Sequence, residues 1–128
     1  MGQVLFGDLF VEDIRAYRDA SLARAGMVGV YPLWKQDTRA LAERFIDLGF
    51  RAVVVCVDPG RLDPSFAGRA FDRALLADLP AGVDPCGENG EFHTFVWHGP
   101  NFAAPVDCRP GETVERDGFV FSDLVPDV

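Results

Sequence analysis

The sequence has no apolar run approaching the roughly 20 residues that a membrane-spanning helix needs, and no internal repeat or low-complexity segment. Its start, Met-Gly-Gln-Val-Leu-Phe, has no basic region of the kind that opens a secretory signal, and Phe6 stands where a myristoylation signal wants serine or threonine. Positive charge is scarce: 12 Lys and Arg against 20 Asp and Glu leave a net charge of -8. This excludes sequence-independent nucleic-acid binding, which needs clustered cations to displace counterions, and it disfavours an anionic membrane surface. The cysteines are three, Cys56, Cys86 and Cys108, an odd number with no Cys-x-x-Cys. No disulfide framework is expected, and a cytoplasmic location follows as the expectation. An acidic chain can still bind ATP where a local cation, backbone N–H groups or Mg²⁺ offset the phosphates.

What is present suits a soluble globular fold. The 128 residues are 48% hydrophobic and 25% charged, enough for a core of useful size. Gln3–Phe6 reads as a short strand ending at Gly7-Asp8, and Val11–Ala25 as a helix with Val11, Ile14, Leu22 and Ala25 on one stripe and Gly26 as its stop. Met27–Trp34 is a second extended run, cut by Pro32. A helix capped by Asp37 or Thr38 runs to about Leu48, with Leu41, Phe45 and Leu48 facing one side. Arg51–Val57, Arg-Ala-Val-Val-Val-Cys-Val, reads as a strand buried on both faces in a parallel sheet. After the Pro- and Gly-rich loop 58–68, Ala70–Leu79 reads as a third helix with Phe71, Leu75 and Leu79 inward. Phe92–Trp97 is a further strand, Gly99-Pro100 a turn, and Asp117-Gly118 the tip of a hairpin between Glu112–Val114 and Phe119–Phe121.

The alternation predicts an α/β layer over 1–80, a partial Rossmann-like parallel sheet, followed by a β-rich portion over 81–128. Three helices are few for a parallel sheet, so the chain reads as starting in the middle of one.

Between the two portions stands Asp84-Pro-Cys-Gly-Glu-Asn-Gly-Glu-Phe-His-Thr-Phe95. Gly87 and Gly90 let the backbone turn sharply or approach a ligand closely. Glu88 and Glu91 are placed for a metal ion, an amine or a proton, or equally for solvent. Cys86 shows no neighbouring base to make it a nucleophile. Cys86, Cys108, His93 and His98 match no common zinc spacing, so no metal site is expected. His93 and His98 are five apart, which on one regular strand puts them on opposite faces. Tyr31 and Trp34 suit either a nucleotide base or a buried aromatic pair; Arg69 and Arg73 suit a phosphate or a solvated helix face.

The ordered set Phe6-Gly7-Asp8-Leu9, Tyr31-Pro32-Leu33-Trp34, the Val53–Asp58 strand, Leu62-Asp63, Gly68-Arg69, the Asp84–Phe95 stretch and Gly99-Pro100 resembles the diphthine–ammonia ligase family, the ATP-binding domain of diphthamide synthesis, in the PP-loop or N-type ATP pyrophosphatase group. The resemblance implies a PP-loop fold and an ATP- and Mg²⁺-dependent ligase that adenylates a carboxylate, which ammonia then attacks. The acceptor it implies is diphthine on elongation factor 2, or another acid. It casts Glu88 and Glu91 as catalytic, Gly87, Gly90, His93 and Thr94 as substrate-binding, and Gly7, Asp8, Tyr31 and Trp34 as cofactor-binding. The family's Ser-Gly-Gly-x-Asp-Ser phosphate loop does not occur in this sequence. The expectation is therefore a C-terminal portion, inactive alone, or else a non-catalytic module that assembles with a second copy or with a separately encoded N-terminal half through an unpaired strand.

Overall fold

In the computed structural model, which describes residues 2–127, the first strand β1 (Gly2–Leu5) lies parallel to β2 (Met27–Val30), with Gly2 opposite Met27 and Leu5 opposite Val30. Helix α1 (Glu12–Arg24) connects them. Glu12 and Asp13 in its first turn and Arg24 in its last complement the helix dipole. Gly26, at φ 72°, turns the chain into β2. β2 stops at Val30, short of the extended run expected to Trp34, because Pro32–Lys35 form a turn in which the Trp34 N–H donates to the Tyr31 carbonyl at 3.1 Å. The stripe expected on α1 is not buried: no residue of the helix is, and Tyr17 is 73% exposed. Two strands make too narrow a sheet to cover a helix face.

The chain forms two compact units, the first ending at Asp37 and the second beginning at Thr38. The layer boundary expected near residue 80 falls inside the second unit. That unit runs α2 (Thr38–Asp47), β3 (Arg51–Val57), a 3₁₀ turn (Pro64–Phe66), α3 (Arg73–Asp78), β4 (Phe92–His98), β5 (Cys108–Arg116) and β6 (Phe119–Pro126). The four strands form one sheet in the order β4-β3-β6-β5, with every neighbour antiparallel. β3 is thus central and buried, as its β-branched run predicts, but its partners run opposite to it. A continuous apolar run reports burial on both faces and carries no information on strand direction. The parallel sheet is confined to β1 and β2, so the chain is a mixed α/β structure with one small parallel sheet and one antiparallel sheet.

One face of the antiparallel sheet carries the core. Ala52, Val54, Val57 and Phe92 pack with Leu62, Phe66, Phe71, Leu75, Leu76 and Val83, and Ala42 of α2 joins them. Phe45 stacks on Phe50 at 4.8 Å and meets Phe71 edge-on at 5.9 Å. α3 starts at Arg73 rather than Ala70. Asp72 caps it by accepting the Leu75 N–H at 2.9 Å, while Ala70 is held in a bridge to Val53. The hairpin forms as its sequence predicts and extends further: Asp117 and Gly118 have φ 52° and 82°, the two positive values of a type I′ turn. Arg116 grips Asp123 across it at 3.1 and 2.9 Å, and these hydrogen bonds hold the Asp123 carboxyl below its ordinary range.

Leu75 has no exposed surface, so Leu75→Ala should cost about 2–5 kcal/mol in urea unfolding. Tyr17→Ala, on the uncovered helix, should change stability by less than about 0.5 kcal/mol.

Candidate functional site

The stretch from Asp84 to Glu91 is a loop built on its own carboxylates. The Asp84 Oδ2 atom accepts the backbone N–H of Cys86 at 3.0 Å and of Glu88 at 3.2 Å, while its Oδ1 accepts the Thr38 hydroxyl at 2.6 Å. Glu91 reaches back the other way: its Oε2 accepts the Asp84 N–H at 2.6 Å and its Oε1 the Asn89 N–H at 2.8 Å. Each carboxylate thus gathers two backbone donors that a tight loop would otherwise leave unsatisfied. The Asp84 and Gly87 carbonyls accept the Gly87 and Gly90 N–H groups at 2.9 and 3.1 Å. Gly87 and Gly90 have φ 66° and 78°. At Gly87 a Cβ would also lie 2.7 Å from the Phe92 carbonyl oxygen, so both conformation and space require glycine.

These bonds separate the two glutamates. Glu91 is 2% exposed and its carbonyl accepts the Asp58 N–H at 3.0 Å, tying the loop to the end of β3. Glu88, half-buried, stands in the wall of a hollow of about 440 Å³ with Cys86, Gly87, Gly90, Phe92, His93 and Thr94. The four residues expected at the substrate, Gly87, Gly90, His93 and Thr94, therefore line the same hollow as Glu88. Glu91 lies outside that wall, with both oxygens engaged by the loop. The sequence pattern nominates neither Asp84 nor Thr38 for the site, yet they anchor it. The available signal was the Asp-Pro pair immediately before a Cys-Gly turn, a setting in which aspartate accepts backbone N–H groups.

The histidines do not follow simple alternation. Val96 pairs with Ala52 but His98 pairs with Arg51, so Trp97 is an extra residue in β4. The bulge cancels the odd offset, and His93, opposite Cys56, shares its face with His98. Among the described residues no three His, Cys, Asp or Glu side chains converge on a metal-sized site. The Cys86 thiol donates to the Thr38 carbonyl at 3.3 Å, and burial, with Asp58 adding to it, pushes the Cys56 thiol up. Arg69 pairs with Asp78 at 3.0 Å and Arg73 with Asp47 at 2.7 Å, which engages both with partners inside the fold.

The four residues expected at a cofactor lie in the first unit. Asp8 accepts from Arg18 through Oδ1, and its Oδ2 is buried with no hydrogen-bond partner. Gly7 has open space where a side chain would project. Tyr31 is packed rather than open: Phe6 stacks on it at 5.4 Å, the Arg15 guanidinium lies 4.2 Å from its ring centre, and Trp34 meets it edge-on at 6.0 Å. Its hydroxyl donates to Asp19 at 2.9 Å, and burial, followed by that carboxylate, pushes its ionisation up.

Gly90 has open space around it, so Gly90→Ala should cost about 1 kcal/mol from its φ alone. Gly87→Ala should cost about 1–3 kcal/mol, because the Phe92 backbone must also move. Urea unfolding of both variants gives the difference, and equal losses would show that the close approach at Gly87 is unimportant.

A family model, the diphthamide synthase C-terminal domain, matches residues 37–120, the stretch that holds the loop, both hollow-lining segments and the central strand. The diphthine–ammonia ligase of Bos taurus is 28% identical over 97 residues, covering 72% of this chain and 36% of that protein. The diphthine–ammonia ligase of Schizosaccharomyces pombe (strain 972 / ATCC 24843) is 27% identical over 97 residues, covering 73% of this chain and 16% of that protein. This chain thus spans a minor part of either relative's length. With its second unit matched almost throughout, the chain belongs to the diphthamide synthase family, through that family's C-terminal domain.

Proposed function

We propose that the second unit forms the ammonia and acceptor side of a carboxylate–ammonia ligase of the diphthine–ammonia type. The observation that carries this reading is the self-bonded loop that sets Glu88 in the wall of a hollow, between two glycines and beside His93 and Thr94. Amide formation needs ammonia held against an activated carboxyl group. As the nitrogen lone pair closes on the carbonyl carbon, the leaving group departs with its bonding electrons and the nitrogen becomes acidic. A neighbouring carboxylate holds ammonium by charge and takes one proton from it, which frees the attacking lone pair; the second proton, lost from nitrogen as the amide forms, passes to solvent. Glu88 has this role. Gly87 and Gly90 allow the acceptor to approach the backbone, and His93 and Thr94 orient it from the first residues of β4. Glu91 contributes to catalysis by fixing the loop on which Glu88 sits. The acceptor is diphthine on elongation factor 2 or a related acid.

ATP with Mg²⁺, implied by the family resemblance, would supply the activation of the carboxyl. In the first unit Gly7 has open surroundings, but Asp8 Oδ2 is a buried acceptor that does not suit a phosphate, and Tyr31 packs edge-on against Trp34. The ring of Tyr31 already carries Phe6 and Arg15, which leaves poor access for a base. The Ser-Gly-Gly-x-Asp-Ser cradle is absent from the sequence, so phosphate binding is assigned to no residue here.

Ammonium chloride added to the ¹⁵N-labelled chain should shift the amide signals of Gly87 to Gly90, where sodium chloride does not. Glu88→Gln should weaken that response at least about tenfold, or about 1.4 kcal/mol. The isolated chain should release no AMP from ATP. A response indifferent to Glu88→Gln would overturn the role of Glu88, and AMP release would overturn the need for the missing loop.

The first unit favours a second reading, in which it serves assembly. β1 and β2 form a sheet of only two strands, with Leu5 73% and Val28 45% exposed, and such a sheet is marginal without a further partner. An added strand from another chain, or from a second copy, would pair its edge and cover these side chains. Amides of β1 and β2 should then exchange with D₂O orders of magnitude faster than those of β3 in the isolated chain. Comparable protection, in a species that sediments as a monomer, would overturn this reading.

A further inference from the structure

The antiparallel sheet has a second hollow, about 560 Å³, on the face turned away from the core. On β3 its wall residues Val55 and Cys56 stand between the core residues Val54 and Val57, and on β4 His93 and Phe95 lie on either side of Thr94. Phe119 and Phe121 of β6 complete an aromatic wall. Phe95 and Phe119 are 40% and 39% exposed. Large apolar side chains left open in a concave wall mark a place where a ligand, rather than the fold, completes the burial.

His93 stands in the wall of this hollow and also in the wall of the Gly87–Glu88 hollow. We propose that the two are one substrate site, whose apolar half takes an uncharged aromatic or aliphatic group of the acceptor while the acceptor's reacting end lies at Glu88. This rests on the ligase reading above and adds to it the class of substrate. The apolar half does not call for a charged guest. The carboxylate in its wall, Asp123, is held at both oxygens by Arg116, at 3.1 and 2.9 Å. That same guanidinium lies 5.5 Å from the Phe121 ring centre, so Phe121 already has its cation. What remains to be filled is apolar surface, bounded by Phe95 and Phe119. Glu88 and the apolar wall then act on different parts of one molecule: the carboxylate on the reacting end, the phenylalanines on the body that distinguishes one acid from another. The specificity residues of this chain are Phe95, Phe119 and Phe121, with His93 at the junction.

Alkylammonium ions test the two halves together, since an ammonium head suits Glu88 and a phenyl group suits the apolar wall. Methylammonium and a series from benzylammonium to 4-phenylbutylammonium are titrated into the labelled chain and followed by amide shifts. The best phenyl ion should bind at least tenfold more tightly than methylammonium and shift both the Gly87–Gly90 and the Phe119–Phe121 signals. Phe95→Ala and Phe119→Ala, both truncations of exposed side chains, should return it to the methylammonium level, while Glu88→Gln should weaken both ions. If the phenyl ions gain nothing, or the phenylalanine variants leave the gain intact, the shared site is overturned and the ammonium role of Glu88 stands. Phenyl-ion binding that ignores Glu88→Gln would also overturn it, by showing two separate sites. If methylammonium itself fails to respond to Glu88→Gln, the ligase reading on which the inference rests is what falls.

Discussion

The site depends on two carboxylates that face inward on their own loop. Asp84 and Glu91 together accept four backbone N–H groups and one hydroxyl. Without them the N–H groups of Asp84, Cys86 and Glu88 would lose their partner in half-buried positions, while that of the exposed Asn89 could turn to water. Each such orphan costs about 1–3 kcal/mol, against a typical domain stability of about 5–15 kcal/mol. Losing either carboxylate would therefore weaken the domain at this loop, by less than the full penalty where water reaches the freed N–H groups. The loop also draws on its surroundings at both ends. Thr38 fixes Asp84 from the first turn of α2, and the Asp58 N–H fixes the Glu91 carbonyl from the end of β3. The position of Glu88 is thus set by two elements of the core rather than by the loop alone.

Much of this was legible in the sequence. Glycines at 87 and 90 announced a sharp turn, and both have positive φ there. The Asp117-Gly118 pair announced the hairpin, and the turn chemistry is local enough to be decided by two residues. The burial of β3 followed from its β-branched run. Strand direction did not, because it depends on where residues 92–98 and 119–126 return, a tertiary fact that a local pattern does not encode. Ala70 and Phe71 read as helix by periodicity, but hydrogen bonds with β3 hold them extended and leave Asp72 to start α3. The bulge at Trp97 was invisible for a similar reason: alternation assumes a regular strand, and one inserted residue reverses its outcome.

The two glutamates show the same limit at the level of chemistry. In the sequence they are equivalent, each beside a glycine in the same loop. The fold makes them unequal by direction. Glu91 closes the loop against β3, so its side chain points back into the loop's own N–H groups. Glu88 sits at the far side, in the wall of the hollow. A residue type and a spacing can nominate a carboxylate; only its surroundings in the fold say whether it serves the backbone of its own loop or borders a space that a ligand can enter.

The first unit is built on different terms. It has the alternating strand, helix and strand of an α/β protein, yet no residue of its helix is buried and its sheet stops at two strands. The second unit, by contrast, buries Leu75, Val57, Val54 and Leu76 almost completely, and the family match follows it closely, from residue 37 to 120. Stability and family character therefore reside in the same residues. A unit that closes its own core can keep a loop rigid regardless of what joins it, whereas β1, α1 and β2 have apolar surface still to be covered.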